Sequence, residues 1–311
     1  MTTRRSALAG LAVSATALLI GTPIVAQEKV PIVATFSILG DLVSKVGGER
    51  IALSTLIGPN GDAHVYAPTP ADARKVKEAK VVFTNGLKFE GWIARLVRSS
   101  GTKAKVVETT KGVRTIKVDE SSPAQDHGDH GHAGETDPHA WQSVPNAKVY
   151  VANIRDALIA ADPAGRDTYG ANAAAYLAQL DDLEREVKEQ VAKIPAERRR
   201  VITSHDAFGY FAEAYGIAFI SPQGVSTEAE ASARDVAKII QQVRREKVGA
   251  VFLENVSDAR LAKRIADESG AKIGGTLYSD ALSDAQGPAG TYIDMVRHNT
   301  RTLAAGLTPT S

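Results

Sequence analysis

Seven histidines and no cysteine set the metal chemistry open to this 311-residue chain. Without thiolates, a metal must be held by imidazole and carboxylate groups, and disulfides and cysteine nucleophiles are excluded. Three histidines crowd into one polar stretch, His127, His130 and His132 in SSPAQDHGDHGHAGET. His298 sits in a C-terminal helical pattern, where a satisfied structural histidine is the simplest reading. The remaining three stand apart: His64 in PNGDAHVYAPTP, His139 in TDPHAW and His205 in VITSHDAFGYF. Any one of them alone would more often be structural, but their placement makes them a set. His64 falls in the loop after the second strand of the first half, and His139 follows the last extended segment of that half. His205 directly follows the first strand of the second half, and Asp280, in LYSDALS, directly follows its last strand. Ligand sites in parallel αβ sheets lie outside the carboxyl ends of strands, and clefts between lobes are favoured places for them. Two groups from each half should therefore meet in one cleft. Three neutral imidazoles and a carboxylate suit zinc in tetrahedral geometry, with bonds of about 2.0–2.2 Å. Pro138 stiffens the approach to His139, while Pro68 and Pro70 stiffen the exit from His64 and start the next helix. The neighbouring acids Asp62, Asp137 and Asp206 are placed to orient imidazole rings, or to cap helices.

The elements that must position these groups are legible as a βα alternation with parallel sheets. Strands are expected at Ile32–Phe36, Ile51–Ile57, Val81–Phe83 and Lys105–Val107. In the second half they are expected at Val201–Ser204, Ala218–Ile220, Ala250–Leu253 and Lys272–Thr276. Helices include Thr69–Ala79 and Glu228–Arg245. The halves read as weak copies of each other, VVFTNGLKFEGW paralleling AVFLENVSDARL. Between them, Pro163 to Pro195 holds no internal proline, and Tyr176, Leu180, Leu183, Val187, Val191 and Ile194 recur with helical spacing. That apolar stripe predicts one helix of about 28 residues, roughly 40 Å long, acting as a rigid spine. A coiled-coil seam is the alternative, but fewer than four heptads are available.

The first residues, MTTRRSALAGLAVSATALLIGTPIVAQ, carry basic Arg4 and Arg5, a short apolar run and a small residue, Ala26, at a plausible cleavage position. They read as a secretory signal over residues 1–26, because the apolar run from Leu8 to Ile20 is too short to span a membrane. An uncleaved anchor is the alternative, and the export route stays open. The expected organisation is then an N-terminal βα lobe over 27–162, a linking helix over 163–195 and a C-terminal βα lobe over 196–311. About 285 mature residues suffice for two lobes of ordinary size. Lacking cysteine, the chain offers no acceptor for a bacterial lipid anchor and reads as a free periplasmic monomer. A formal charge of +1 argues against a nucleic-acid binder.

The segments GDAHVYAPTPAD, TDPHAWQSVPNAKVY, SHDAFGYFAEAYGI and YSDALS resemble, in order, the four metal-site motifs of the substrate-binding proteins that feed zinc and manganese ABC importers. The resemblance spans the mature chain and is strongest toward the cysteine-free, zinc-binding AztC type, which carries a comparable histidine loop. It implies two αβ lobes joined by one long helix, with metal at their interface held by His64, His139, His205 and Asp280, and a membrane permease as partner. Manganese-delivering relatives commonly place a glutamate at the position of His205, so imidazole there favours zinc over Mn2+. Two departures from the family pattern, Ala63 before His64 and Gln-Ser-Val-Pro after Trp141, remove no ligand but are expected to alter the surface offered to a partner.

The loop over 121–136 lacks large apolar residues and should be mobile. His127, His130 and His132, with Asp126 and Asp129, can bind zinc weakly, either to gather it or receive it from a periplasmic metallochaperone, or incidentally. Metal capture should displace protons from histidines and draw the lobes together slightly. The rival from another class is a periplasmic zinc hydrolase. It would need an open coordination position and a base, for which Glu228, Glu230 and Glu254 are the candidates, although four protein ligands leave no such opening.

Overall fold

The computed structural model describes residues 28–118, 135–246 and 248–308. Residues 1–26 and the cluster of His127, His130, His132, Asp126 and Asp129 lie outside the described residues. Strands β1 (Val30–Phe36), β2 (Ile51–Ile57), β3 (Val81–Thr84) and β4 (Lys105–Glu108) form an all-parallel sheet in the order β2-β1-β3-β4. Burial follows that order. β3 is buried at every position, as a parallel strand covered on both faces must be, whereas β4 at the edge is largely exposed. Strands β5 (Arg200–Ile202), β6 (Ala218–Ile220), β7 (Ala250–Glu254) and β8 (Lys272–Leu277) repeat the arrangement as β6-β5-β7-β8. The weak copying between the halves thus corresponds to a shared topology, and the two parallel αβ lobes stand as expected.

Helices α1 (Ser37–Gly47), α2 (Pro70–Glu78) and α3 (Ile93–Ser100) serve the first lobe. They are followed by α4 (Val144–Ala161) and the 27-residue α5 (Arg166–Ala192). In the second lobe lie α6 (Gly209–Tyr215), α7 (Ala233–Glu246), α8 (Ala259–Ser269) and α9 (Tyr292–Leu307). The apolar stripe on α5 is fully inside: Tyr176, Leu180, Leu183, Val187 and Val191 are buried, in a helix that packs on α1, α4 and α9. The stripe therefore serves this chain's own core. Each fully buried Leu or Val there contributes about 1.5–3 kcal/mol, and Leu183→Ala would cost about 2–5 kcal/mol. Pro163 opens a short 3-10 turn before α5 rather than the helix itself, so the continuous spine is somewhat shorter than its prolines suggested. Helix α7 also starts later than expected, at Ala233, because the Ser232 hydroxyl accepts the backbone N–H of Asp235 and caps it there. Among the described residues, no helix is long and apolar enough to cross a membrane.

Candidate metal centre

Each ligand-type side chain is delivered by a backbone whose own polar groups are tied down. His64 lies in the loop between β2 and α2. Its N–H donates to Asp62 Oδ1 at 2.8 Å. Downstream, Thr69 and Asp72 form a reciprocal capping box with Pro70 at the first helical position. Tyr66 Oη also donates to Asp72, at 2.7 Å, so the loop from His64 to α2 is anchored on one buried carboxylate. On the far side, the edge of His64 rests against Phe89, with ring centroids 4.7 Å apart.

His139 is held more tightly. Asp137 Oδ1 accepts both its backbone N–H and its ring Nδ1–H, each at 2.8 Å. That fixes the tautomer and turns Nε2 outward. The Pro138 carbonyl before it accepts from Asn85 Nδ2 at 2.9 Å, and Tyr150 Oη donates to Asn85 Oδ1 at 2.5 Å. Directly after His139, Trp141 Nε1 and Gln142 Nε2 both donate to the carbonyl of Ser279, at 2.9 and 2.7 Å. Ser279 precedes Asp280, so the two ligand segments are bonded across the interface. Of the two departures from the family pattern, Ala63, Gln142, Ser143 and Val144 are buried, while Pro145 is exposed.

His205 follows β5 and Asp280 follows β8. Glu254, the last residue of β7, accepts the backbone N–H groups of Ser204 and His205 on Oε1, at 2.6 and 3.0 Å. Its Oε2 stands 2.6 Å from His205 Nδ1. Of the three acids expected to orient rings, Asp137 does so. Asp62 accepts from the His64 backbone and from Thr227 Oγ1, and the carboxylate beside the His205 ring is Glu254. The sequence signal for Glu254 was a charged residue closing the apolar strand AVFLE.

The four ligand-type residues converge. One donor atom from each of His64, His139, His205 and Asp280 lies within 4.8 Å of the others, and all four residues are buried. His64 Nε2 is 3.3 Å from His139 Nε2 and 3.3 Å from Asp280 Oδ2. His205 Nε2 is 3.1 Å from Asp280 Oδ2, and His139 Nε2 is 3.6 Å from Asp280 Oδ1. A tetrahedral ion with bonds of about 2.0–2.1 Å sets its ligands about 3.3–3.4 Å apart, close to these four spacings. Burial pushes the His64 imidazole below its ordinary pKa, and nearby His139 and His205 push the same way. Burial also opposes charge on His205, but Glu254 and Asp280 outweigh it and hold that ring well above the usual histidine range. Burial would raise Asp280, yet His205 and His139 outweigh it and hold its carboxyl far below the ordinary value. The cage is thus an anionic carboxylate faced by imidazoles, suited to a divalent cation. A cavity of about 540 Å³ opens beside it, lined by His64, Phe89, Pro138, Val225 and Glu228 among others.

His298 does not join the cage. Its Nε2–H donates to the Thr276 carbonyl at 3.0 Å and its ring packs edge-on against Tyr278, as a structural histidine should.

Residues 32–306 match the family described as zinc-uptake complex component A, periplasmic. The chain is 35% identical over 280 residues to the manganese-binding lipoprotein MntA of Halalkalibacterium halodurans, covering 90% of this chain and 89% of the relative. It is 32% identical over 294 residues to the iron-binding protein YfeA of Yersinia pestis, covering 94% and 91%. Among solved structures, the periplasmic zinc-binding protein TroA of Treponema pallidum superposes with a TM-score of 0.83 at 30% identity, covering 91% of this chain and all of that one. The Mn-bound periplasmic metal-binding protein of Candidatus Liberibacter asiaticus superposes at 0.79 with 31% identity, covering 90% of this chain and all of that one. Fold, cage and sequence agree: the chain belongs to the ZnuA family, the extracytoplasmic substrate-binding proteins of metal ABC transporters, which are carriers and not enzymes.

Proposed function

We propose that this carrier captures Zn2+ with His64, His139, His205 and Asp280 and delivers it to the membrane permease of an ABC importer. The observation that supports this most directly is the convergence of three imidazole nitrogens on one buried carboxylate. Similar proteins are named for manganese, iron or zinc, so the choice of metal rests on the donor set. Three nitrogens to one oxygen favour zinc, whereas manganese prefers carboxylate and carbonyl oxygen. Manganese delivery is the rival within the family, and the two oxygens of Asp280 are the feature that would serve it.

Capture requires neutral imidazoles, so zinc must expel the proton that Glu254 and Asp280 favour on His205. The ion would bridge two segments already bonded through Ser279, which limits lobe movement to small shifts. Release then depends on rearrangement of ligand loops at the docked permease. We read residues 1–26 as a removed export signal and the carrier as free in the periplasm, since the 311 residues contain no cysteine to acylate.

The deciding experiment is metal analysis of purified protein, with competitive zinc and manganese titrations of the wild type and of His64→Ala, His139→Ala and His205→Ala. Each substitution should weaken zinc binding sharply. Wild-type affinity in two of the three would end the proposal, and tighter binding of manganese than zinc would transfer it to the manganese reading.

A further inference from the structure

We infer that Glu254 is a positioning residue for metal capture, acting through His205: it holds the ring in the tautomer that presents Nε2 to the ion. The inference rests on the four-ligand reading above. Glu254 is buried and closes β7, and its two oxygens have separate duties. Oε1 accepts the N–H groups of Ser204 and His205, which sets where the His205 backbone leaves β5. Oε2 stands 2.6 Å from His205 Nδ1. Among the described residues, neither of these two atoms makes an aligned hydrogen bond, and the contact between them is a close ion-pair approach at 2.6 Å.

A neutral imidazole carries its proton on one nitrogen and its lone pair on the other. A carboxylate beside Nδ1 attracts a proton there; Nε2, which faces Asp280 Oδ2 at 3.1 Å, would then offer its lone pair to the ion once its own proton is displaced. Carboxylate contact also makes the imidazole a more basic ligand. The first lobe meets the same requirement differently. There Asp137 holds the ring of His139, and Asn85, which follows β3 as Glu254 ends β7, holds the backbone at Pro138. In the second lobe a single residue does both jobs.

Glu254→Gln separates the two roles. The amide oxygen can still accept from Ser204 and His205, but the amide NH2 would meet the Nδ1–H as donor against donor. The ring must then turn or change tautomer. The test compares zinc affinities of wild type, Glu254→Gln and His205→Ala by competition with a chromophoric chelator. In parallel, long-range 1H–15N spectra of 15N-histidine-labelled, zinc-loaded protein report tautomers, with the His205 signals assigned by their loss in His205→Ala. A backbone-holding role alone would leave both readouts unchanged in Glu254→Gln. The expected result is an affinity roughly ten- to a hundredfold lower in Glu254→Gln, with His205 in the wild type protonated on Nδ1 and that proton shifted or lost in the variant. Wild-type affinity in Glu254→Gln together with weak binding in His205→Ala would overturn the inference while leaving the four ligands intact. Wild-type affinity in His205→Ala would remove both. A wild-type His205 lacking the Nδ1 proton would overturn the inference even if the variant failed to fold.

Discussion

The indole Nε1 of Trp141 donates to the carbonyl of Ser279 across 2.9 Å, joining the segment that bears His139 to the one that bears Asp280. Gln142 donates to the same oxygen, and Tyr292 Oη closes the arrangement by donating to the Trp141 carbonyl at 2.7 Å. The two ligand-type residues are therefore registered against each other by the protein alone.

Breaking that register should loosen the cage without touching a ligand. Trp141→Phe leaves Gln142 in place and should weaken zinc binding roughly fivefold, the value of one hydrogen bond at about 1 kcal/mol. Adding Gln142→Leu leaves a buried carbonyl unpaired, at a cost of about 1–3 kcal/mol. Competition titration and thermal melts of both variants test this. A double variant that melts and binds like the wild type would show that the link carries no strain from site to fold.

Metal preference should follow position 205. His205→Glu replaces a nitrogen donor with oxygen and should lower the zinc-over-manganese affinity ratio by at least about tenfold. It also sets a second carboxylate near Glu254, so its metal-free melting temperature should fall, and the added change Glu254→Gln should restore part of it. Parallel titrations with both metals and thermal melts provide the readout. An unchanged ratio would remove His205 as the discriminating ligand.

Gly209 offers a way to move Asp137 indirectly. A Cβ at this position would lie 2.5 Å from Asp137 Oδ2, and the carboxylate would have to shift. Because Asp137 holds the His139 ring, Gly209→Ala should reduce zinc affinity by about ten- to a hundredfold. Because Asp137 is buried and Gly209 is the first residue of α6, the metal-free fold should melt slightly lower, with the loss of zinc affinity exceeding that change. An affinity matching the wild type would mean that Asp137 does not control the ring.

Acid stability should report the anchor of the His64 loop. Burial alone would raise the Asp72 pKa, but bonds from Thr69, Tyr66 and Lys75 outweigh it and push it down to about 2 from the ordinary 3.8. A depressed carboxylate stabilises the fold fully above its unfolded pKa, and that contribution disappears as pH falls through the folded value. Roughly 1–2 kcal/mol should therefore be lost between about pH 4 and pH 2. Denaturant titrations of the wild type and Asp72→Asn across that window measure it. The variant should start less stable and lose less, and identical slopes would exclude Asp72 as the source.

Much of this protein was readable from residue types and spacing alone. All eight strands were legible because parallel strands are short runs rich in β-branched and apolar residues between polar turns, whether buried at the centre of a sheet like β3 or exposed at its edge like β4. The stripe from Tyr176 to Val191 declared one long helix because only helical periodicity places those residues on one face. The four ligand-type residues were identifiable because each follows a strand or extended segment, where parallel sheets build their sites. Hydrogen bonds between segments far apart in sequence carry no such period. That Gln142 faces inward to Ser279, 137 positions away, follows from how the lobes meet. That Glu254 stands beside His205, 49 positions earlier, follows from β5 and β7 being neighbours in the sheet. The amino-acid sequence determined which groups could hold a metal. The tertiary structure decided which carboxylates orient them, because ring orientation depends on contacts that exist only once strands and lobes are packed.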